Sequence, residues 1–237
     1  MRGFVDLHCH WVAAIDDGPR TARDGIVMLR RLHEAGFDHV VATPHMRPGM
    51  FDNDRASIER AFAAMQPALT TGEALPTVHL ASEHFFDDVV FGRLLKGEAL
   101  PYPGKAVLVE FGRMFPARVQ HRFFDLQKVG LRPVLAHPER YEPVWRDDAC
   151  LEPLLDAGAH LLLDVCALVG KYGRAPQRAA EKLLAEDAYE AACSDAHRPD
   201  DVDVVERAIE KLESLVGGDE AQRLLAQGPR GILNGPG

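Results

Sequence analysis

The sequence predicts an α/β fold, a single-domain barrel of parallel strands, on three observations. Short β-branched or apolar runs alternate with longer segments of helical period from end to end, the pattern of repeated βα units. Four helical segments are followed by a glycine (Gly36, Gly97, Gly130, Gly158) suited to a left-handed cap. No Ser- or Pro-rich linker, low-complexity tract or internal repeat interrupts the 237 residues, a length at which barrels are commonly undivided. Seven units are one short of the usual eight, so the expectation is a distorted (β/α)7 TIM-like barrel with residues 1–237 as one domain.

The first strand spans residues 4–12 (FVDLHCHWV) and precedes a helix over 21–35, whose Met28, Leu29 and Leu32 face the core. A strand over 39–45 ends in ATPH, ahead of a helix over 54–69. The strand 77–85 carries ASE and leads to helix 87–96; the strand 106–112 reads AVLVEFG and leads to helix 117–129. Next come a strand over 132–137 with helix 147–157, and a strand over 160–168 with helix 176–186. The strand 189–197 ends in SDAH, and helices over 200–215 and 219–227 finish the chain.

Composition narrows the function classes. The chain is 46% hydrophobic and 27% charged with a formal net charge of −9, which excludes disordered and fibrous architectures. An acidic balance argues against a nucleic-acid-binding surface. No apolar run approaches the roughly 18 to 20 residues of a membrane helix. The start, MRGFVDLHCHWV, lacks the apolar stretch of a signal peptide, so no membrane insertion and a cytoplasmic location are expected. The four cysteines (Cys9, Cys150, Cys166, Cys193) contain no C-x-x-C pair and read as reduced thiols, mostly buried. Cysteine-dependent phosphatases need an Arg six positions after the nucleophile. Those positions hold Ile15, Asp156, Tyr172 and Pro199, which excludes that mechanism.

Chemistry gathers at the predicted strand ends, the catalytic face of barrel enzymes. His8 and His10 lie two apart, a spacing that sends both imidazoles to one face of a strand. Asp17 follows in a DDGP loop, and His45, Glu83, Glu110, His137, Asp195 and His197 end later strands. A lone strand-end histidine is more often structural, and DDGP alone is usually a turn. Nine such groups together have no structural purpose, because buried unpaired carboxylates cost several kcal/mol. Divalent ions offset that cost. Imidazole and carboxylate without thiolate suit Mn, Fe or Zn, and nine donors imply two or three ions. Three ions against four carboxylates leave the pocket positive by about two charges, a trap for a phosphate dianion.

These residues resemble the polymerase-and-histidinol-phosphatase (PHP) superfamily of metallo-phosphoesterases, and within it the bacterial capsule-operon tyrosine phosphatases of CpsB/CapC type. DLHCH, DDGP, TPH with RPGMF, SE, VEF, AHPERY, LVGKYGR at 168–174 and SDAH occur in that branch's order. The resemblance implies a trinuclear centre. His8 and His10 hold one ion with Glu110 and Asp195; Glu110 bridges to a second ion that also takes Glu83 and His137; Asp17, His45 and His197 complete the set. It implies a phosphate-binding Arg140 and a rim residue Arg47. Where the family often carries a second phosphate-binding Arg, this chain has Val202, and Arg198 is the expected substitute. The implied activity is metal-dependent hydrolysis of phosphotyrosine by a metal-activated hydroxide, without a phosphoenzyme, with Arg140, His137 and Glu110 in the catalytic set and manganese the first-choice metal. The implied substrate is the tyrosine-rich tail of a kinase controlling polysaccharide export; homo-oligomer formation stays open.

Three alternatives stand beside this. Histidinol-phosphate phosphatase activity would use the same cluster. Amide or lactone hydrolysis is discouraged because none of Lys96, Lys105, Lys128, Lys171, Lys182 and Lys211 ends a predicted strand. A non-enzymatic phosphotyrosine binder has no need for open coordination positions. Trp11, Phe51 and Tyr172 are candidates to line a groove for an aromatic leaving group.

Overall fold

The computed structural model describes residues 2–70, 72 and 74–235. In chain order its strands and α-helices are β1 (Phe4–Cys9), α1 (Ala22–Glu34), β2 (Phe37–Ala42), β3 (His45–Met46), α2 (Arg55–Leu69), β4 (Thr77–Leu80), β5 (Glu83–Phe85), α3 (Asp88–Lys96), β6 (Ala106–Glu110), α4 (Val119–Lys128), β7 (Arg132–Ala136), α5 (Glu142–Arg146), α6 (Glu152–Asp156), β8 (His160–Asp164), α7 (Arg174–Ala185), β9 (Ala191–Cys193), α8 (Asp201–Val216), α9 (Gly218–Gln222) and α10 (Gly228–Asn234). Among the described residues the strands form two parallel sheets, ordered β1-β2-β4 and β3-β5-β6-β7-β8-β9.

The sheets share polypeptide, because β2 runs on into β3 and β4 into β5 across short breaks. Pro44 has no N–H to give a ladder. Pairing is carried across the break by Ala81 N donating to Ala42 O at 2.8 Å and Glu83 N to Pro44 O at 3.2 Å. After β9, Asp195 N donates to His8 O at 3.0 Å and His10 N to Ala196 O at 2.9 Å, tying the last strand to the first.

Side-chain alternation along the strands builds two apolar layers. Ala106 and Leu108 of β6 join Val5, Leu7, Val134, Ala136 and Leu162 in one cluster. Their neighbours Val107, Val109, Leu135, Leu161 and Leu163 join the other, which packs against helical residues such as Met28, Leu29, Phe123 and Leu183. Glu110 continues the Ala106 and Leu108 series, so the face that is apolar along β6 becomes polar at its C-terminal end. Among the described residues no helix is long and apolar enough to cross a membrane.

The expected strands are mostly longer than the observed ones, and the reason is local. Strand 4–12 stops at Cys9, 106–112 at Glu110 and 132–137 at Ala136. The stretch 160–168 turns after Asp164 into a 3-10 segment, Val165–Val169, because Asp164 Oδ1 accepts Cys166 N at 2.9 Å. The stretch 189–197 retains only Ala191–Cys193, since Ser194 N bonds Asp6 Oδ1 and Asp195 adopts φ 45°. Side chains thus take the hydrogen bonds a ladder would use. The helix expected over 147–157 divides into a 3-10 turn, Asp148–Leu151, and α6. The one over 219–227 is α9 followed by a π turn, Arg223–Gln227. Helices α5 and α10 escape a sequence reading because Pro143 and Pro229 look like breakers, whereas each sits in a first helical turn, where proline is tolerated.

Helix α1 approaches the loop after β1 so closely that a Cβ on Gly25 would lie 2.4 Å from Trp11 O, while one on Gly92 of α3 would meet nothing within 4 Å. Helix propensity alone favours alanine by about 1 kcal/mol at either position. Gly92→Ala is therefore expected to raise the urea midpoint and Gly25→Ala to lower it. Equal shifts of the same sign would contradict the packing of α1 against the loop after β1.

Candidate metal centre

The C-terminal ends of the strands, with the short segments β3 and β5 that open on His45 and Glu83, bring the nine predicted donors to one place. His8 comes from β1, His10 and Asp17 from the loop beyond it, His45 from β3, Glu83 from β5 and Glu110 from β6. His137 follows β7, and Asp195 and His197 follow β9. Four overlapping groups have ligand atoms within 4.8 Å of one another: His8, His10 and Asp195; His8, Glu83 and His137; His45, Glu83 and Glu110; and His10, Asp17, His45 and His197. All nine appear. His137 and Asp195 hold their positions with left-handed backbones, φ 39° and 45°, a conformation that costs roughly 1–3 kcal/mol in a non-glycine residue and is typical of functional sites.

Glu83 is the hub. Its Oε2 lies 3.2 Å from His8 Nε2, 3.4 Å from His10 Nε2 and 2.9 Å from His45 Nδ1, and its Oε1 lies 3.2 Å from His137 Nε2. Glu110 reaches His45 Nδ1 at 3.4 Å and Arg47 at 3.6 Å. The carboxylate nearest the four imidazoles is thus Glu83. Asp195 is divided: Oδ2 accepts from Arg140 Nη1 at 2.6 Å, while Oδ1 faces His8 Nε2 at 3.2 Å.

The donor set fits divalent cations on an observation independent of motif. Among the buried side-chain atoms without a hydrogen bond are His8 Nδ1 and His137 Nδ1, and also His45 Nδ1, Glu110 Oε1 and Asp195 Oδ1, which have ion-pair neighbours only. Unsatisfied buried polar atoms are rare in proteins and call for a ligand. His8 Nε2 and His10 Nε2 also approach to 3.1 Å.

Without a metal, protons supply the missing positive charge. Burial opposes protonation, yet Glu83 and Asp195 push His8 up to about 9, Glu83 and Glu110 push His45 up to about 11, and Asp195 and Asp17 push His197 up to about 9. Against the effect of burial, the same pairings hold Glu83 and Asp195 well below the usual carboxylate range.

The three predicted arginines differ in placement. Arg140 pairs with Asp195, lies 3.8 Å from Asp164 and stacks 4.5 Å over the Tyr172 ring. Arg47 stacks 4.2 Å over Phe85 beside Glu110. Arg198 is exposed and lines the pocket of Arg140 and Tyr172. Phe51 stacks on His45 at 5.2 Å and 5°. Trp11 does not line a groove: it is fully buried against Phe62, because the chain turns inward after Cys9 instead of continuing as a strand.

Sequence reading missed the residues that hold the donors. Asp16, with a fully buried side chain, accepts from His10 Nδ1 at 2.7 Å and from His45 N at 3.1 Å. Its only signal was the other Asp of DDGP. Asp6 Oδ1 accepts from the backbone of His8 and Ser194, locking β1 to the Asp195 segment. Glu139, inside HPERY, accepts from Asp164 N and Tyr189 Oη behind Arg140.

Parallel strands with imidazoles and carboxylates at their C-terminal ends define the class, an α/β protein with a candidate polynuclear metal centre. The chain belongs to the family described as capsular polysaccharide synthesis, CpsB/CapC, which it matches over residues 4–234. It is 29% identical over 196 residues to the tyrosine-protein phosphatase YwqE of Bacillus subtilis, covering 82% of this chain and 77% of the relative. It is 23% identical over 240 residues to the tyrosine-protein phosphatase CpsB of Streptococcus pneumoniae, covering 97% and 98%. A crystal structure from work on YwqE and CpsB, described there as unique metal-dependent tyrosine phosphatases, superposes with TM-score 0.88 at 28% identity, covering 98% of this chain and 95% of that one.

Two measurements follow. Asp16→Asn leaves every candidate ligand in place but frees the His10 ring, so metal affinity in a chelator competition falls roughly 10–100-fold; unchanged affinity would contradict the role of Asp16. The raised imidazole pKa values stabilise the metal-free fold fully below about 6.5, a contribution lost as pH rises through about 9 and then about 11. Metal must displace those protons. Calorimetry at pH 7.5 in buffers of different ionisation enthalpy is therefore expected to record proton release on Mn binding, and affinity that rises with pH; buffer-independent heats would contradict this.

Proposed function

We propose that this protein is a metal-dependent protein-tyrosine phosphatase of capsular or exopolysaccharide synthesis. The observation that carries the reading is the Glu83-centred nest of imidazoles and carboxylates with unsatisfied buried atoms, in a CpsB/CapC-family chain whose 28%-identical structural relative comes from work on metal-dependent tyrosine phosphatases. Two or three divalent ions are assigned to the four ligand groups, manganese first, iron or zinc as alternatives. When bound, such ions supply Lewis acidity and activation of water at neutral pH.

The chain's own residues do the rest. Arg140, fixed by Asp195 and Tyr172, offers its remaining N–H groups to the phosphoryl oxygens. His137 and Glu110 act in the catalytic set as ligands. Phe51 and Tyr172 give the mouth an aromatic lining for a phenolic leaving group, which with a pKa near 10 needs little protonation. Cys9, Cys166 and Cys193 are buried, and burial pushes their thiols up; Cys150, half-buried, is also pushed up and belongs to none of the ligand groups.

We further take the two sheets as one distorted (β/α)7 barrel in a single domain, supported by the Asp195–His8 and His10–Ala196 backbone bonds. The proposed substrate is a phosphotyrosine-bearing tail of a tyrosine kinase in the cytoplasm, a compartment suited to four unpaired cysteines.

Turnover of a phosphotyrosyl peptide by the Mn-loaded protein tests the reading. Chelation is expected to abolish it and thiol alkylation to spare it; vigorous turnover after exhaustive chelation ends the proposal. His137→Ala and Glu110→Ala should lose both bound metal and rate, whereas Arg140→Ala should keep its metal and raise KM about tenfold or more.

A further inference from the structure

We propose that Lys171 is a second phosphate-binding side chain of this centre, paired in function with Arg140; the inference rests on the phosphatase reading and assigns how that site grips its anion. A cavity of about 270 Å³ opens beside the ligand cluster, lined by Asp17, Asp195 and His197 on the metal side and also by Arg140, Lys171 and Arg198. Gly170 and Gly173 have φ 77° and 98° and bracket Lys171 and Tyr172. Those left-handed turns let two consecutive side chains line the same cavity.

The lysine is held there. The backbone of its loop is open to solvent, but its side chain is only 22% exposed, and its Nζ lies 3.3 Å from Asp201 Oδ1. Lys171 Nζ and Arg140 Cζ both lie within 5.5 Å of the Tyr172 ring centroid. Asp201 Oδ2 meanwhile accepts from the backbone N–H groups of His197 and Arg198 at 2.9 Å each, so one carboxylate fastens both the lysine and the ligand-bearing segment. An ammonium has three donors, and one recorded carboxylate leaves donors to spare.

Charge balance gives those donors a partner. Once Asp17 and Asp195 serve the metal ions, the cavity wall carries Arg140, Lys171 and Arg198 against Asp201. That surplus fits an incoming dianion. Arg198 is the weaker candidate, because among the described residues its exposed guanidinium has no anchor, and it loses more side-chain freedom on binding. The competing explanation is that Lys171 merely braces α8 through Asp201.

The test is calorimetric titration of the Mn-loaded protein with inorganic phosphate, with metal content and thermal midpoint recorded for each variant. Lys171→Met is expected to weaken phosphate about tenfold with metal retained, and Lys171→Arg to stay within about threefold of wild type. Asp201→Asn, which removes the opposing charge but keeps an acceptor oxygen beside Lys171, is expected to hold or raise phosphate affinity. Wild-type affinity in Lys171→Met, equal losses in Lys171→Met and Asp201→Asn, or no phosphate binding by the wild type would each overturn the proposal. Loss of phosphotyrosyl turnover alone, with phosphate binding intact, would count against the phosphatase reading and leave Lys171 standing.

Discussion

A carboxylate buried to 1% exposure among four imidazoles is the constraint on which the rest depends. Glu83 has His8, His10, His45 and His137 within 3.4 Å. An isolated buried charge of that kind is untenable, so positive partners must converge on it from every side. Those partners sit on or just beyond β1, β3 and β7, far apart in the chain. Parallel strands make this feasible, since they bring all their C-terminal ends to one rim. The left-handed backbones of His137 and Asp195 are the local strain of aiming side chains inward where strands would otherwise run on.

From that nest the electrostatics extend outward in an ordered series. Asp195 turns one oxygen to the imidazoles and the other to Arg140, so a candidate metal ligand also aims the guanidinium proposed to receive the anion. Behind Arg140, Asp164 and Glu139 are fully buried, and burial pushes them up to about 6 and about 8. Placed next to the arginine, Asp164 adds to its grip without filling the cavity. The acidic net charge of the whole chain therefore says little about the site. Local charge is set by what is buried beside what.

Much of this was legible in the residue pattern, for a physical reason. Strand-end histidines and carboxylates stand out because apolar runs such as AVLV lead directly into Glu110, and VLAH and SDAH punctuate in the same way. Where the polypeptide stops behaving as a strand was not legible. Breaks at 43–44 and 81–82 depend on which neighbour supplies the next hydrogen bond, and the burial of Trp11 depends on a turn after Cys9. Asp16 and Asp17 are adjacent and chemically identical, and only the folded loop decides that the first orients His10 while the second meets His45 and His197. Lys171 lies in a loop without periodicity, so the LVGKYGR motif marks its segment but not its approach to Asp201 and Tyr172.

The centrality of Glu83 is tested most directly by anomalous diffraction at the manganese edge from crystals grown in saturating Mn. The account predicts anomalous peaks at about 2.0–2.3 Å from donor atoms of Glu83 and its surrounding imidazoles, with Asp195 bonded to both an ion and Arg140. Full Mn supplementation with no peak in the nest, and His8, Glu83 and Asp195 arranged as in the metal-free protein, would contradict it.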